Sequence, residues 1–259
     1  MKYIFNLILF FSFSAFAQES IEASLVKEYS LDVDDIVAID NFGTQYHINN
    51  NSFQKNSAAQ NLSYSNVQLG DISSANTFNP LKINVFYKDF NTVVILDNRL
   101  AEIFKIDFNT TQPYKNITHV STGHDNTLWL FNQDTQQLEL FDYKTGTTRA
   151  KTLPIQSAVL DVKSNYNNCY LLTAQHLIIY NYFGSIIKKI KNTGYTAIAE
   201  NNGNTYLKKE NTLFYLKKNT ENIVPIAIPN LLINQFFVTN ETLYIYNNET
   251  LQQYQLKID

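Results

Sequence analysis

Six stretches of this chain share one pattern, and that repetition constrains the fold more than any single residue does. They are DNFGTQYHINNNSFQKN from Asp40, KDFNTVVILDNRLAEIF from Lys88 and GHDNTLWLFNQDTQQLELF from Gly123. The other three are SNYNNCYLLTAQHLIIY from Ser164, NNGNTYLKKENTLFYLK from Asn201 and TNETLYIYNNETLQQY from Thr239. Each opens on a turn rich in Asn, Gly or Asp, runs through β-branched or aromatic residues, turns again and runs once more. These turn residues tolerate positive φ or bond their own backbone, so their clusters reverse a chain between strands. Thr recurs where the first run starts, at Thr44, Thr92, Thr127, Thr205 and Thr242, with Asn168 or Cys169 in the remaining copy. Successive copies lie about 35 to 48 residues apart, the spacing of four-stranded repeat units.

The runs that precede each turn complete the unit. DIVAI, INVFY, THVST, LDVKS, TAIAE and NQFFV are predicted as innermost strands, and RAKTLPI, SIIKKIK and NIVPIAI as outer ones. After the leader, no window carries a helical apolar stripe. The 17 Tyr and 18 Phe suit strands. Many short strands separated by turn signals imply a sandwich, barrel or propeller, and the repeat period selects the last. The expected fold is all-β: a six-bladed β-propeller with an N-terminal strand closing the last blade. That strand is expected within residues 24–32, because the sixth copy reaches only three strands before Asp259. Residues 63–82 look like an enlarged loop between the first two copies, a candidate partner surface carrying Asp71, Asn76 and Phe78.

The N-terminus reads MKYIFNLILFFSFSAFAQES. Lys2, the apolar run from Ile4 to Phe13 and the small-x-small Ala15-Phe16-Ala17 form a secretory signal peptide over residues 1–17, leaving residues 18–259 as one domain. The apolar run is short for a membrane span, and the mature part has none long enough. A net charge of -3, with basic residues never clustered beyond short pairs, argues against nucleic acid as a partner. Cys169 is the only cysteine, so an intramolecular disulfide is impossible; in NNCYLLT it reads as a small buried hydrophobe.

Few residues suggest chemistry. His124 and Asp125 stand where every other copy has turn formers, so they are read as a hairpin turn, and Trp129 as a packing residue. Aligning the innermost strands puts Ile36, Asn84, His119, Asp161, Ala197 and Gln235 at one level of the central tunnel. Lys163 follows two residues after Asp161, and alternation along a strand lets both face the same way. Asn84, His119, Asp161, Lys163 and Gln235 are therefore the candidate ligand-binding set. One carboxylate falls short of a calcium site, and His119 with Asp161 falls short of a zinc site. No Gly-flanked elbow marks a serine nucleophile. Neither a catalytic residue, a metal site nor a cofactor is expected.

With these copies, the leader and the closing strand, residues 24–259 resemble exported bacterial six-bladed β-propellers of the NHL-like kind, and the composition resembles secreted Bacteroidota proteins. The resemblance implies a periplasmic or outer-membrane-associated protein. With no credible chemical centre, the leading expectation is a non-catalytic binding or scaffolding subunit with an envelope protein as partner. Two alternatives stand beside it: a tunnel enzyme, either a metal-dependent lactonase-like hydrolase or a lyase, and a glycan- or peptide-binding propeller.

Overall fold

In the computed structural model, residues 20–258 are described; the leader predicted at residues 1–17 lies outside them. Among the described residues the regular structure is all strand apart from two short 3-10 turns, Val67–Leu69 and Phe108–Thr110. After β1 (Ile21–Ser30), it runs through six meanders of short strands. The first holds β2 (Asp35–Ile39), β3 (Gln45–Asn49), β4 (Ser52–Asn56) and β5 (Asn61–Tyr64). The second holds β6 (Ser74–Asn76), β7 (Ile83–Tyr87), β8 (Thr92–Leu96) and β9 (Glu102–Asp107). The third holds β10 (Ile117–Thr122), β11 (Thr127–Asn132), β12 (Gln137–Asp142) and β13 (Thr147–Lys151). The fourth holds β14 (Val159–Ser164), β15 (Asn168–Thr173), β16 (His176–Asn181) and β17 (Ile186–Lys191). β18 (Ala197–Asn201), β19 (Asn204–Lys209), β20 (Thr212–Leu216) and β21 (Ile223–Ala227) follow. β22 (Gln235–Thr239), β23 (Thr242–Tyr246) and β24 (Thr250–Lys257) end the chain.

The first four meanders are separate four-stranded sheets. The last two share one eight-stranded sheet, ordered β18-β19-β20-β21-β1-β24-β23-β22. β1 is the joint. It pairs antiparallel with β24 from Glu22 opposite Lys257 to Ser30 opposite Thr250. Its parallel contact with β21 covers only Ile21 opposite Ile226 and Glu22 opposite Ala227. The first strands of consecutive meanders approach one another, β10 with β14, β14 with β18, β18 with β22 and β22 with β2. This is a propeller-like arrangement.

The core lies between faces of successive meanders, and strand alternation explains how. In the second meander, Val85 and Val94 pack toward Ile48 and Phe53 of the first, whereas Phe86 and Val93 pack toward Leu128 and Leu130 of the third. Trp129 and Leu140 leave the opposite face of the third meander to meet Cys169 and Leu171 of the fourth. Tyr206 and Leu213 meet Leu243 and Ile245, and Tyr244 and Tyr246 return to Ile36 and Ile39. Successive side chains of a strand point to opposite faces, so a middle strand covered on both sides must be apolar throughout. That is why TVVIL in β8 and TLWLF in β11 show no alternation of polarity.

Two sequence expectations are corrected here. INVFY is not an innermost strand: β7 is the second strand of its meander, with all five residues buried. The innermost position belongs to β6, whose residues Ser-Ala-Asn are only partly buried. Nor are residues 63–82 an enlarged loop. They contain the end of β5, the turn Val67–Leu69 and all of β6. A strand of three small or polar residues lining a cavity has no apolar signature, so the fully apolar strand after it took its place in the reading.

Candidate functional site: a channel with two unlike mouths

A cavity of about 560 Å³ is lined by residues of β2, β6, β14, β18 and β22 and the segments after them. Neighbouring first strands run in the same direction. Asp161, near the start of β14, accepts a hydrogen bond from the Ile198 N–H near the start of β18 at 3.0 Å. Gln235 Oε1, at the start of β22, accepts from the Ile36 N–H near the start of β2 at 2.8 Å. At the other end, the Thr239 hydroxyl donates to the Ile39 carbonyl at 2.8 Å. The starts of the strands therefore share one mouth and their ends share the other.

The start mouth gathers ionisable groups. Asp35, Asp161 and Lys163 line the cavity there, with the neutral Gln235 amide among them. The Lys163 ammonium stands 3.4 Å from Asp161 Oδ1. Burial pushes the Asp35 carboxyl up to about 6, against the opposing influence of Lys163 and the Gln235 amide. His119 is held below its usual range by burial; Asp161 opposes this, while Lys88 and Lys163 add to it. Its Nδ1 lies 3.0 Å from the Thr118 hydroxyl and its ring meets the edge of Phe131.

Of the five candidate residues, Asp161, Lys163 and Gln235 come together on the cavity wall. His119 stands behind them on β10, within electrostatic reach of Asp161, and outside the lining. Asn84 belongs elsewhere: on β7 it is buried and donates to Thr122 Oγ1 at 2.9 Å. Asp35 was missed, although it opens DIVAI and follows Asp34, so that two carboxylates stand at a strand start. Its neighbours come from residues more than a hundred positions away, which local reading does not see.

The end mouth is built differently. Asn76 closes β6, accepting from Thr122 Oγ1 at 2.8 Å and donating to Ser121 Oγ at 3.3 Å. Ser164 Oγ donates toward Ser121 Oγ at 2.7 Å and is also close to the Thr122 carbonyl. Asn76 Oδ1 also receives the Phe78 N–H at 3.0 Å, which sets Phe78 at the rim. Of the residues expected on a partner loop, Asp71 and Phe78 are exposed, whereas Asn76 faces inward and is spent on these bonds. Among the described residues no group of three His, Cys, Asp or Glu side chains converges as a metal site would require.

His124 and His47 are structural in their contacts. Asp125 has φ +54°, as a tight turn demands, and His124 packs against Tyr182. His47 lies buried on β3 beside Gln54 at 3.1 Å. Cys169 is buried, and burial holds its thiol well above the ordinary range.

The architecture and channel place the chain among the β-propeller proteins by fold. No family model matches the sequence, and no curated protein matches it. Solved structures are similar in shape. Virginiamycin B lyase from Staphylococcus aureus, as a catalytically inactive variant with quinupristin, aligns with a TM-score of 0.61 and 13% identity over 86% of this chain and 80% of that one. BamB from Moraxella catarrhalis aligns with a TM-score of 0.54 and 13% identity over 92% of this chain and 98% of that one. A chain of the mitotic checkpoint complex gives 0.60 and 7% identity over 98% of both. At such identities the likeness concerns the fold alone.

Proposed function

We propose that the protein is an exported, non-catalytic six-bladed β-propeller of NHL-like kind, acting as a protein-binding or scaffolding subunit in the periplasm or at the outer membrane. The blade count treats the eight-stranded sheet as two blades joined through β1, with β1 as the fourth strand of the last blade. The carrying observation is that four polar groups of the channel wall serve architecture: Asp161, Gln235, Asn76 and Ser164 each fasten one strand to a neighbour. Contact with a partner is then left to the rigid outer surface, where Phe42, Leu153 and Phe183 are exposed. A chain of similar fold belongs to the mitotic checkpoint complex, so this architecture does serve in assemblies. Affinity capture from the native envelope fraction tests the reading. A stoichiometric protein should be retained by the wild type and released by Phe42→Asp or Phe183→Asp. A bait that retains nothing in stoichiometric amount would overturn it.

One observation favours a second reading, a tunnel enzyme such as a lyase or lactonase-like hydrolase. Burial raises the Asp35 carboxyl to about 6 with Lys163 and Gln235 beside it, an environment in which a carboxyl can exchange protons near neutrality. Turnover of lactone or cyclic-ester substrates that disappears in Asp35→Asn would establish it in place of the scaffold.

A further inference from the structure

We infer that the end mouth of the channel is a binding site for a neutral carbohydrate, a site independent of the scaffolding role proposed above. The geometry combines an aromatic platform with unpaired amides around one cavity. Phe78 lines the cavity, and Tyr166, from the turn after β14, packs edge-on against it with ring centroids 4.8 Å apart. Both rings stay open to solvent, at 41% and 46% exposure, although an aromatic pair in contact is normally an occasion for burial.

The platform is held rigidly. Asn76 accepts the Phe78 N–H, and is itself anchored to Ser121 and Thr122. The turn carrying Tyr166 is fixed by Asn165, whose Oδ1 accepts the N–H groups of Asn167 and Asn168. Asn165 Nδ2 donates to Glu200 Oε1 at 2.8 Å, and that oxygen also accepts from the Gly203 N–H at 2.7 Å. A pre-set platform loses little conformational freedom when a ligand arrives.

Around the same mouth, the cavity wall includes Asn41, Asn201, Asn202 and Asn240. None of their side chains has a hydrogen-bond partner among the described residues. Each offers two donors and an acceptor, the complement of vicinal hydroxyl groups on a sugar. The two nearby carboxylates are occupied. Asp40 accepts the N–H groups of Phe42 and Thr44, and Glu200 is engaged as described. At this mouth the groups left free to engage a ligand are therefore the amides and the aromatic pair. Sugar rings present apolar C–H faces to aromatic rings and hydroxyls to amides, so a neutral glycan uses both. The mouth opens on a cavity of about 560 Å³ in all, room enough for a sugar residue to enter from this end.

Affinity electrophoresis of the purified protein tests this, with dextran, laminarin, hydroxyethyl cellulose, galactomannan and glycol chitin in the gel. At least one should retard the wild type. Phe78→Ala, Tyr166→Ala and the double variant Asn201→Ala/Asn240→Ala should each weaken that retardation tenfold or more, with thermal unfolding unchanged for Tyr166→Ala. Phe183→Ala, which removes an exposed aromatic that does not line the cavity, should bind as wild type. Failure of every polysaccharide to retard the protein overturns the inference. So does retention undiminished in Tyr166→Ala, or equally diminished in Phe183→Ala. Envelope capture reads the scaffolding proposal separately through Phe183, which does not line this cavity.

Discussion

Gln235 Oε1 accepts the N–H of Ile36 at 2.8 Å, so a side chain near one end of the chain fastens the backbone near the other. Asp161 makes the equivalent bond to Ile198 between two consecutive meanders. The expected consequence is that both residues matter to stability before they matter to any ligand. Gln235→Leu leaves the buried Ile36 N–H without its acceptor and should cost about 1–3 kcal/mol. Asp161→Leu should cost a similar amount. Denaturant titration of each variant measures this, and Lys163→Met should lie close to wild type.

Chain closure has a second fastening in Tyr246. Its hydroxyl accepts the Val33 N–H at 3.1 Å, with the carbonyls of Leu31 and Val33 at 3.0 and 2.9 Å. Tyr246→Phe keeps the ring and removes these bonds, so a loss of about 1–3 kcal/mol is expected. Deleting residues 20–32 removes β1 itself and uncovers the edges of both β24 and β21. That truncation should lower the melting temperature of the whole domain rather than fray one end. An unaltered melting curve would show that β1 is dispensable.

Lys115 and Glu139 form a buried ion pair at 2.5 Å, and Asn132 and Thr148 also bind the carboxylate. Lys115→Met should destabilise by about 3–5 kcal/mol, because it strands a buried charge. Adding Glu139→Gln should restore at least half of the loss. Burial raises the Glu139 carboxyl, but the bonds from Lys115, Thr148 and Asn132 outweigh it and hold the group below its ordinary range. The sign follows from that depression. The unfolded chain binds the proton at higher pH than the folded one, so the stabilisation is present above the ordinary Glu range and is lost on acidification. Comparing Glu139→Gln with wild type from pH 7 downward isolates this contribution.

Asp35 gives the opposite slope. Its folded carboxyl titrates near 6 against an unfolded value of 3.8, so the folded state holds the extra proton between those limits. Stability from this group is present below the unfolded value and is lost as pH rises through about 6. Asp35→Asn should therefore stabilise the protein at pH 7 by roughly 3 kcal/mol and do little at pH 4. His119, held low, contributes in the other direction over part of the same range, so the difference between variant and wild type is the quantity to measure.

Cys169 should be inert. It is fully buried with a raised thiol, so a maleimide should label it only as fast as the native state opens. Labelling at the rate of an exposed thiol would contradict this packing.

Much of the local structure was legible because turns and strands carry their causes in neighbouring residues. Asp125 and Asn202 adopt the positive φ that their turn positions suggested, and Trp129 packs in β11. The site was less legible. Aligning apolar runs placed Asn84 beside Asp161, whereas the true counterpart in its meander is the short strand ending at Asn76. Burial on both faces produces an apolar run, and a channel wall does not, so the rule that finds core strands passes over the wall.

The sequence by itself determined a strand-rich chain, its hairpin turns and a repeat of about 35 to 48 residues, because these depend on side-chain polarity and backbone preference over a few positions. Only the tertiary structure decided which strand of each repeat faces the channel, and that β1 joins β24 to β21. It alone brought Asp35 to Lys163, Lys115 to Glu139 and Phe78 to Tyr166. Those pairings depend on distances between residues far apart in the chain, and no local pattern encodes such distances.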